Sequence, residues 1–284
     1  DGMELPCFAA FNLLKDKAGT ARLHKYYREY IDLALEYGFG FVLESTTWRA
    51  SPDWGKRLGY SETALTRSNH LAIEMLHALR ERNQTRETPM VISGNLGPRG
   101  DGYSAEQHMT ADEAAEYHSW QIQSLVDADV DLITALTLPE TNEAIGIVRA
   151  SQTAGVPVVI SFTVETDGRL PSGQSLSSAI ETVDKATDGE PAYYMINCAH
   201  PTHFEQKLQD DGAWLQRIQG IRANASCKSH AELDESETLD DGNPEELGHQ
   251  YRELQDLLPA LTVLGGCCGT DHRHVEAIAR ACCI

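Results

Sequence analysis

The feature that most constrains the fold is an alternation of short apolar or β-branched runs with longer helical patterns. This alternation is typical of a parallel α/β sheet, because each pair of neighbouring parallel strands needs a crossover connection that is usually helical. The sequence predicts strands at residues 40–45, 90–95, 131–136, 157–163, 193–198, 219–223 and 261–265. It predicts helices at residues 20–37, 61–82, 111–127, 140–154, 175–187, 202–209, 245–257 and 272–282.

These predicted elements lack only one strand of a (β/α)8 TIM barrel. Asp1-Gly2 suits the end of a strand, so we expect the first strand to lie before residue 1 or to be truncated. A length of 284 residues fits a single barrel domain over residues 1–284. Because such barrels carry their chemistry at the C-terminal ends of the strands, the residues that close each strand are the functional candidates.

The charge balance argues against nucleic acid and membrane lipid as partners. The chain has 23 Lys and Arg against 43 Asp and Glu, a formal net charge of −20, which repels phosphates and anionic headgroups. Most of this charge is explained by a solvated acidic coat, although it also attracts a cationic substrate. Since no apolar run reaches the ~18 residues of a membrane span and the N-terminus lacks signal-peptide character, we expect a cytoplasmic protein. The oligomeric state stays open.

Three cysteines lie just past the ends of two predicted strands. Cys198 closes the run YYMINC, and Cys267 and Cys268 follow LTVLGG. In a barrel these strands would be the sixth and the eighth, and alternate strands contribute to shared layers, so the thiols are expected to converge at its mouth. Thiolates select Zn²⁺, and three protein ligands leave a fourth tetrahedral position for a substrate. The sequence therefore predicts a catalytic zinc site.

Inert packing is the alternative interpretation of each cysteine. A lone cysteine at a strand end, such as Cys198, is more often a small buried hydrophobe than a ligand. Two cysteines enclosed by glycines in GGCCGT make poor core filler. We assign the remaining cysteines to packing: Cys7, Cys227, Cys282 and Cys283.

The segments INC and GGCCGT resemble the zinc motifs of the homocysteine S-methyltransferase family. DGMEL, ESTTWRA and GNLGPRGDGY resemble further segments of that family in the same order. The resemblance implies a barrel that holds zinc through Cys198, Cys267 and Cys268. It also implies methyl transfer from a sulfonium or quaternary ammonium donor to the thiol of homocysteine or a related small thiol, as in methionine biosynthesis. In such enzymes the zinc-bound thiol is deprotonated and acts as the nucleophile.

Three residues are predicted to hold the amino acid substrate or to order the site. Asp1 matches the family aspartate that positions the substrate, and its alternative is a frayed terminal residue. Gly2 would offer its backbone close to the ligand. Asn197 precedes the first predicted zinc ligand and is expected to organise the shell around it.

Glu44 and Trp48, at the mouth of the second strand, are predicted to bind the donor. The carboxylate would neutralise a cation, and the indole would face it through a cation–π interaction. The alternative is an ordinary ion pair for Glu44 and packing under a loop for Trp48. Trp54 and Tyr103 are weaker candidates of the same kind.

One departure from the family pattern leaves the acceptor open. Leu136 stands where the family has a glutamate that binds the homocysteine amino group, and leucine offers neither charge nor hydrogen bond. Glu140 is either a substitute or an exposed acid at a helix start, where negative charge is favoured. The departure leaves open a barrel that binds a thiol or metal without turnover. A zinc hydrolase is a weaker alternative, because barrel hydrolases usually hold metal with His and Asp.

The acidic segment 227–244, CKSHAELDESETLDDGNP, interrupts the alternation and has little apolar content. A connection of this length is usually a functional lid or a flexible excursion. The composition favours a disordered surface loop over a lid.

Overall fold

The structure, a computed structural model, describes residues 5–105, 108–209 and 212–282. The strands are β1 (Phe41–Glu44), β2 (Met90–Leu96), β3 (Leu132–Leu138), β4 (Val158–Phe162), β5 (Tyr193–Asn197), β6 (Ile218–Ala223) and β7 (Val263–Gly266). The α-helices are α1 (Lys17–Tyr37), α2 (Pro52–Arg57), α3 (Glu62–Asn83), α4 (Ala111–Val126), α5 (Thr141–Ala154), α6 (Leu176–Thr187), α7 (Pro201–Phe204), α8 (His230–Asp234), α9 (Pro244–Leu257) and α10 (His272–Cys282). Short 3-10 helices span Pro6–Phe8, Ala10–Lys15, Glu205–Gln209 and Ala213–Arg217.

The strands belong to one sheet whose order follows the sequence from β1 to β7. Neighbouring strands pair in parallel; in the registers, Ile160 lies beside Tyr194 and Ile221 lies beside Leu264. At least one helix lies between each pair of consecutive strands, as parallel pairing requires. The alternation predicted from the sequence is therefore confirmed, with each predicted strand and each long helix present near its expected bounds.

Strand β4 shows why the sequence forms a parallel sheet. All five residues of its sequence VVISF are buried. A strand without hydrophobic alternation is typical of a parallel sheet that is buried on both faces. No helix in the described part of the chain is both long enough and apolar enough to cross a membrane.

Capping residues determine where two of the longer helices begin and end. Asp16 Oδ1 accepts a hydrogen bond of 2.8 Å from Gly19 N at the start of α1. Gly38 ends that helix with a φ of 69°, in the left-handed region that glycine adopts without steric penalty. Helix α4 begins with a capping box in which Thr110 and Glu113 each accept a backbone N–H of the other.

The chain divides into two compact units. The first unit has buried side chains from α3 and β2, among them Leu76 and Ile92, and the second has Phe162 and Tyr194. The prediction of a single domain over residues 1–284 stays a prediction. The first unit comprises Asp1–Arg99, Met109–Leu136 and Ile145–Val158, and the second comprises Gly100–His108, Thr137–Ala144 and Val159–Ile284.

Gly146 allows α5 to approach α4 closely within the first unit. A Cβ at this position would lie 2.6 Å from the backbone oxygen of Ala111 and 2.6 Å from the backbone nitrogen of Ala115. Overpacking of this kind costs about 1–3 kcal/mol, which exceeds the ~1 kcal/mol that alanine gains over glycine in helix propensity. We expect Gly146→Ala to lower the free energy of unfolding by up to about 2 kcal/mol, measured by urea denaturation.

Gly40→Ala is the matched control for this substitution. A Cβ at Gly40 would meet Pro89 O at 3.5 Å, an ordinary contact. We expect its effect on the free energy of unfolding to stay within about 0.5 kcal/mol. Equal free energies of unfolding for the two variants would contradict this prediction, because α5 would then have moved away from α4 without loss of stability.

Candidate metal centre

The three predicted ligand sulfurs lie together past the ends of β5 and β7. The Sγ atoms of Cys198, Cys267 and Cys268 all lie within 4.8 Å of one another, and those of Cys198 and Cys268 are 3.9 Å apart. Zinc–sulfur bonds of about 2.3 Å in a tetrahedral arrangement place ligand sulfurs roughly 3.8 Å apart. The spacing and the three soft donors therefore fit a zinc ion. The ligand role of these residues stays a prediction.

Hydrogen bonds donated by the two backbone N–H groups hold the cysteine pair in a tight turn. Cys267 N donates to Ala223 O at 2.8 Å, and Cys268 N donates to Asn224 Oδ1 at 3.1 Å. Gly269 follows with a φ of 79°, in the left-handed region that favours glycine. This turn leaves Cys267 partly exposed and Cys268 exposed, so one side of the cluster is open to an incoming ligand.

Cys198 has an unusual backbone conformation for a residue with a side chain. Its φ of 55° lies in the left-handed region, which non-glycine residues rarely occupy. Its N–H donates to Arg222 O at 3.1 Å, and its carbonyl accepts from His230 Nε2 at 2.6 Å. Because such conformations persist only where the surroundings fix them, these two bonds maintain the orientation of the buried Cys198.

Asn197 joins three neighbouring strands beside Cys198. Its Oδ1 accepts hydrogen bonds from Thr137 N at 2.8 Å and from Ser161 Oγ at 2.6 Å. Its Nδ2 donates to Thr137 Oγ1 at 2.8 Å, and Thr137 Oγ1 lies 4.0 Å from the Cys198 sulfur as a donor. These contacts suit the organising role predicted for Asn197, which stays a prediction.

The three thiols differ in how readily they lose a proton. Hydrogen bonds from Cys198 and Cys268 hold the pKa of Cys267 well below its usual range, and the charge of Arg222 acts in the same direction. Hydrogen bonds to Cys267 and Cys268, together with burial, raise the pKa of Cys198. The closeness of the sulfurs opposes the loss of a second and third proton, and a bound cation would favour the deprotonated form of all three.

Two further side chains contact the cluster, and the sequence did not place them there. Tyr103 Oη donates to Cys198 Sγ at 3.4 Å and lies 4.0 Å from Cys268 Sγ. His230 packs its ring against Tyr103, with the ring centroids 4.1 Å apart. The sequence predicts Tyr103 only as a weaker aromatic candidate for the donor, whereas its hydroxyl contacts the thiols.

The acidic segment 227–244 differs from the predicted disordered loop. It contains α8, and it lies against the cysteine turn, because a Cβ at Gly269 would lie 2.7 Å from Asp240 O. Asp241 O accepts a hydrogen bond from His274 Nε2 at 2.8 Å. The Asp240 carboxylate accepts one from Ser226 Oγ at 2.8 Å. Hydrogen bonds of the backbone and of polar side chains therefore order segment 227–244, although its low apolar content predicts disorder.

The donor candidates Glu44 and Trp48 belong to the first unit. Glu44 is the last residue of β1 and is partly exposed. Trp48 Nε1 donates to Leu136 O at 3.2 Å. The guanidinium carbon of Arg49 lies 3.9 Å from the ring centroids of both Trp48 and Trp54. One face of each indole already binds a cation, so an onium group would need the other face of Trp48.

Asp1 and Gly2 lie outside the described residues. The binding roles of Asp1, Gly2, Glu44 and Trp48 all stay predictions.

Leu136 and Glu140 are both buried, with relative exposures of 6% and 7%. The Glu140 carboxylate accepts hydrogen bonds from Asn142 N at 2.7 Å and Glu143 N at 2.6 Å. Burial raises the pKa of Glu140, and these two hydrogen bonds oppose the shift. The residue thus sits at the start of α5 as an acid that binds backbone amides. Of the two alternatives for Glu140, the exposed acid at a helix start is wrong, because the backbone N–H groups of Asn142 and Glu143 supply the hydrogen bonds that water would otherwise provide.

The model of the homocysteine S-methyltransferase family matches residues 8–282. "Homocysteine S-methyltransferase 1" of Brassica oleracea var. italica is 25% identical over 295 residues, covering 97% of this chain and 86% of that protein. "Homocysteine S-methyltransferase 1" of Arabidopsis thaliana is 25% identical over 296 residues, with coverage of 97% and 86%. The similarity therefore extends across nearly the whole chain.

The fold is similar to that of the homocysteine methyltransferase MmuM from Escherichia coli. Its oxidized form matches with a TM-score of 0.75 at 16% identity, covering 98% of this chain and 90% of that one. Its metallated form matches with a TM-score of 0.70 at 16% identity, covering 94% and 89%. At this identity the likeness concerns the fold alone, and it confirms the predicted α/β barrel class.

Proposed function

Because the chain belongs to the homocysteine S-methyltransferase family and is therefore a methyltransferase enzyme, we propose that it methylates the thiol of homocysteine at a zinc ion. A sulfonium or quaternary ammonium compound is the proposed methyl donor. The observation that carries the proposal is the convergence of Cys198, Cys267 and Cys268, whose sulfurs lie within 4.8 Å of one another. The names of the similar plant proteins support homocysteine as the acceptor.

Cys198, Cys267 and Cys268 are the residues that would hold the zinc ion. When bound, zinc stabilises the thiolate form of the substrate sulfur, which is the nucleophilic form. Three protein sulfurs leave one tetrahedral position for that thiol. The exposure of Cys268 supports an approach from its side.

The chain's own residues position the reacting groups. Asn197 fixes Thr137, which contacts the Cys198 sulfur. In the transfer, a bond forms between the substrate sulfur and the methyl carbon while the bond from that carbon to the donor's cationic sulfur or nitrogen breaks. The donor leaves as a neutral thioether or amine with the electron pair of the broken bond. A net charge of −20 favours the approach of such a cation.

The remaining predicted residues complete the proposal. Asp1 and Gly2 would bind the amino acid end of the acceptor, and Glu44 and Trp48 would face the cationic donor. Arg49 lies 3.9 Å from the Trp48 ring centroid, so the proposal requires the opposite face of that ring for the donor.

The proposal is tested by metal analysis and product formation on the same purified protein. We expect about one zinc per chain, as a single three-thiolate site requires. Methionine should form from homocysteine with S-methylmethionine or glycine betaine, detected by mass spectrometry, and not when the donor is omitted. Removing zinc with a chelator should abolish the product, and added zinc should restore it. Unchanged methionine formation by the zinc-free protein would refute the zinc-dependent mechanism.

A second candidate is a protein that binds a thiol or metal without turning it over. The apolar, buried Leu136 favours it, because this position offers no polar group to an amino acid. Homocysteine should then raise the melting temperature of the zinc-loaded protein, while no tested donor yields a methylated product. A zinc hydrolase has less support, because the metal-binding group found among the described residues contains cysteines alone.

A further inference from the structure

The hydroxyl of Tyr103 lies against two of the three sulfurs. It donates to Cys198 Sγ at 3.4 Å, and its oxygen lies 4.0 Å from Cys268 Sγ. Thr137 Oγ1 contacts Cys198 from another direction at 4.0 Å. Tyr103 thus supplies a hydroxyl that reaches both Cys198 and Cys268.

The tyrosine is held in this position by contacts within the second unit. Its ring packs on His230 with a centroid distance of 4.1 Å and an interplanar angle of 40°. His230 is itself fixed, because its Nε2 donates to Cys198 O at 2.6 Å and its Nδ1 lies 3.5 Å from Glu165 Oε1. The same histidine therefore binds the backbone of Cys198 and supports the hydroxyl that contacts its sulfur.

The residue before the tyrosine also brings the loop close to the site. A Cβ on Gly102 would lie 2.8 Å from Thr137 Cγ2, so only glycine permits this approach without a shift. Tyr103 N donates to Asp101 Oδ1 at 3.0 Å, which stabilises the turn. The loop geometry and the histidine together direct the hydroxyl to the sulfurs.

We propose that Tyr103 is a positioning residue of the zinc centre, whose hydroxyl strengthens metal binding by donating a hydrogen bond to the coordinating sulfur of Cys198. This inference rests on the proposed function, since it requires that the three cysteines hold zinc. A thiolate accepts a hydrogen bond more strongly than a neutral thiol, because charge-assisted hydrogen bonds are about twice as strong as neutral ones. The bond therefore strengthens when zinc replaces the thiol proton, and it contributes to affinity.

Charge balance gives the hydroxyl a second effect. Three thiolates and Zn²⁺ carry one net negative charge, and a substrate thiolate adds another. A hydrogen bond to Cys198 lowers the electron density on that ligand sulfur, so Cys198 would compete less with the substrate sulfur for the methyl group. Tyr103 acts here through the ligand sulfur rather than through contact with the methyl group.

The Tyr103→Phe variant tests the proposal because it removes the hydroxyl and keeps the ring that packs on His230. Zinc affinity is measured by competition with a chromophoric chelator. We expect the affinity to fall by about 10-fold or more, since losing an outer-shell partner typically costs 10–100-fold. Tyr26→Phe is the matched control, because Tyr26 is 53% exposed on α1 and should leave the affinity unchanged.

The cobalt-substituted protein separates a hydrogen bond from a general structural role. Loss of a donor raises the energy of the sulfur lone pairs, so the thiolate-to-Co²⁺ charge-transfer band of Tyr103→Phe should shift to longer wavelength. Weaker zinc binding together with this shift supports the proposal, and the absence of either result overturns it.

The outcomes also separate this inference from the proposed function. A parent protein that binds no zinc would refute the zinc-dependent function first. A parent that binds zinc and forms methionine, with a Tyr103→Phe variant of unchanged affinity, would overturn the role of Tyr103 alone.

Discussion

Cys267→Ala is expected to lose zinc and methyl transfer together. The substitution leaves two sulfurs, and it removes the thiol whose pKa its neighbours hold well below the usual range. The fall in zinc affinity should exceed the roughly 100-fold upper range seen when an outer-shell partner is removed. Zinc content after gel filtration and methionine formation measure the two losses on one sample.

The matched control for this prediction is Cys227→Ala. Cys227 is exposed and is not part of the cysteine cluster, so its zinc content and turnover should equal those of the parent. Circular dichroism of both variants checks that each is folded. A folded Cys267→Ala protein with full zinc and full activity would refute the three-cysteine site.

Asn197→Leu is expected to weaken both the fold and the metal site. Leucine removes the partner of Thr137 N and Ser161 Oγ, and Asn197 is only 1% exposed. A buried group left unsatisfied costs about 1–3 kcal/mol, so the free energy of unfolding should fall by about 2–4 kcal/mol. Urea denaturation of the zinc-free protein measures this loss. Zinc affinity should also fall by about 10-fold or more, because Thr137 no longer holds its place beside Cys198.

Asn69→Leu separates the loss of stability from the effect on the metal. Asn69 is also fully buried, and its Nδ2 donates to Ala50 O at 3.2 Å and Leu65 O at 3.3 Å in the first unit. We expect about 1–3 kcal/mol of destabilisation with unchanged zinc affinity. If zinc affinity fell equally in both variants, the fall in Asn197→Leu would be explained by lower stability, and the predicted role of Asn197 beside Cys198 would be refuted.

The sheet was predictable because its signal is local. A strand such as VVISF is apolar except for Ser161 and is buried along its whole length, as a parallel strand covered on both faces requires. The helices between the strands show clear start and stop residues, for example Asp16 and Gly38 around α1. Since both signals lie within the element itself, one sequence suffices to find them.

The cysteine cluster was predictable for a different reason. Cys198 and Cys268 are 70 residues apart, and their sulfurs lie 3.9 Å from each other. No local sequence pattern links the two cysteines. They could be predicted to lie together because the chemistry of such barrels is carried by residues at the C-terminal ends of the strands. The glycines around Cys267 and Cys268 added the second signal.

Tyr103 and His230 were not assigned to the metal centre, because loops bring them there. Tyr103 is 95 residues from Cys198 and His230 is 32 residues from it. The conformation of a loop follows no hydrophobic periodicity. The sequence pattern therefore does not predict that these two side chains lie beside the cysteines. One signal was available: Ser229 and Glu232 form the capping box that starts α8 at His230.

The bond from His230 to the backbone of Cys198 matters to anyone who would engineer this chain. Long polar surface segments usually accept an inserted tag or a changed length, because few contacts cross them. Segment 227–244 has the composition of such a segment, yet its His230 anchors the carbonyl of a predicted zinc ligand at 2.6 Å. The part of the segment around His230 is therefore tied to Cys198, and an affinity tag or a fusion partner belongs in another loop.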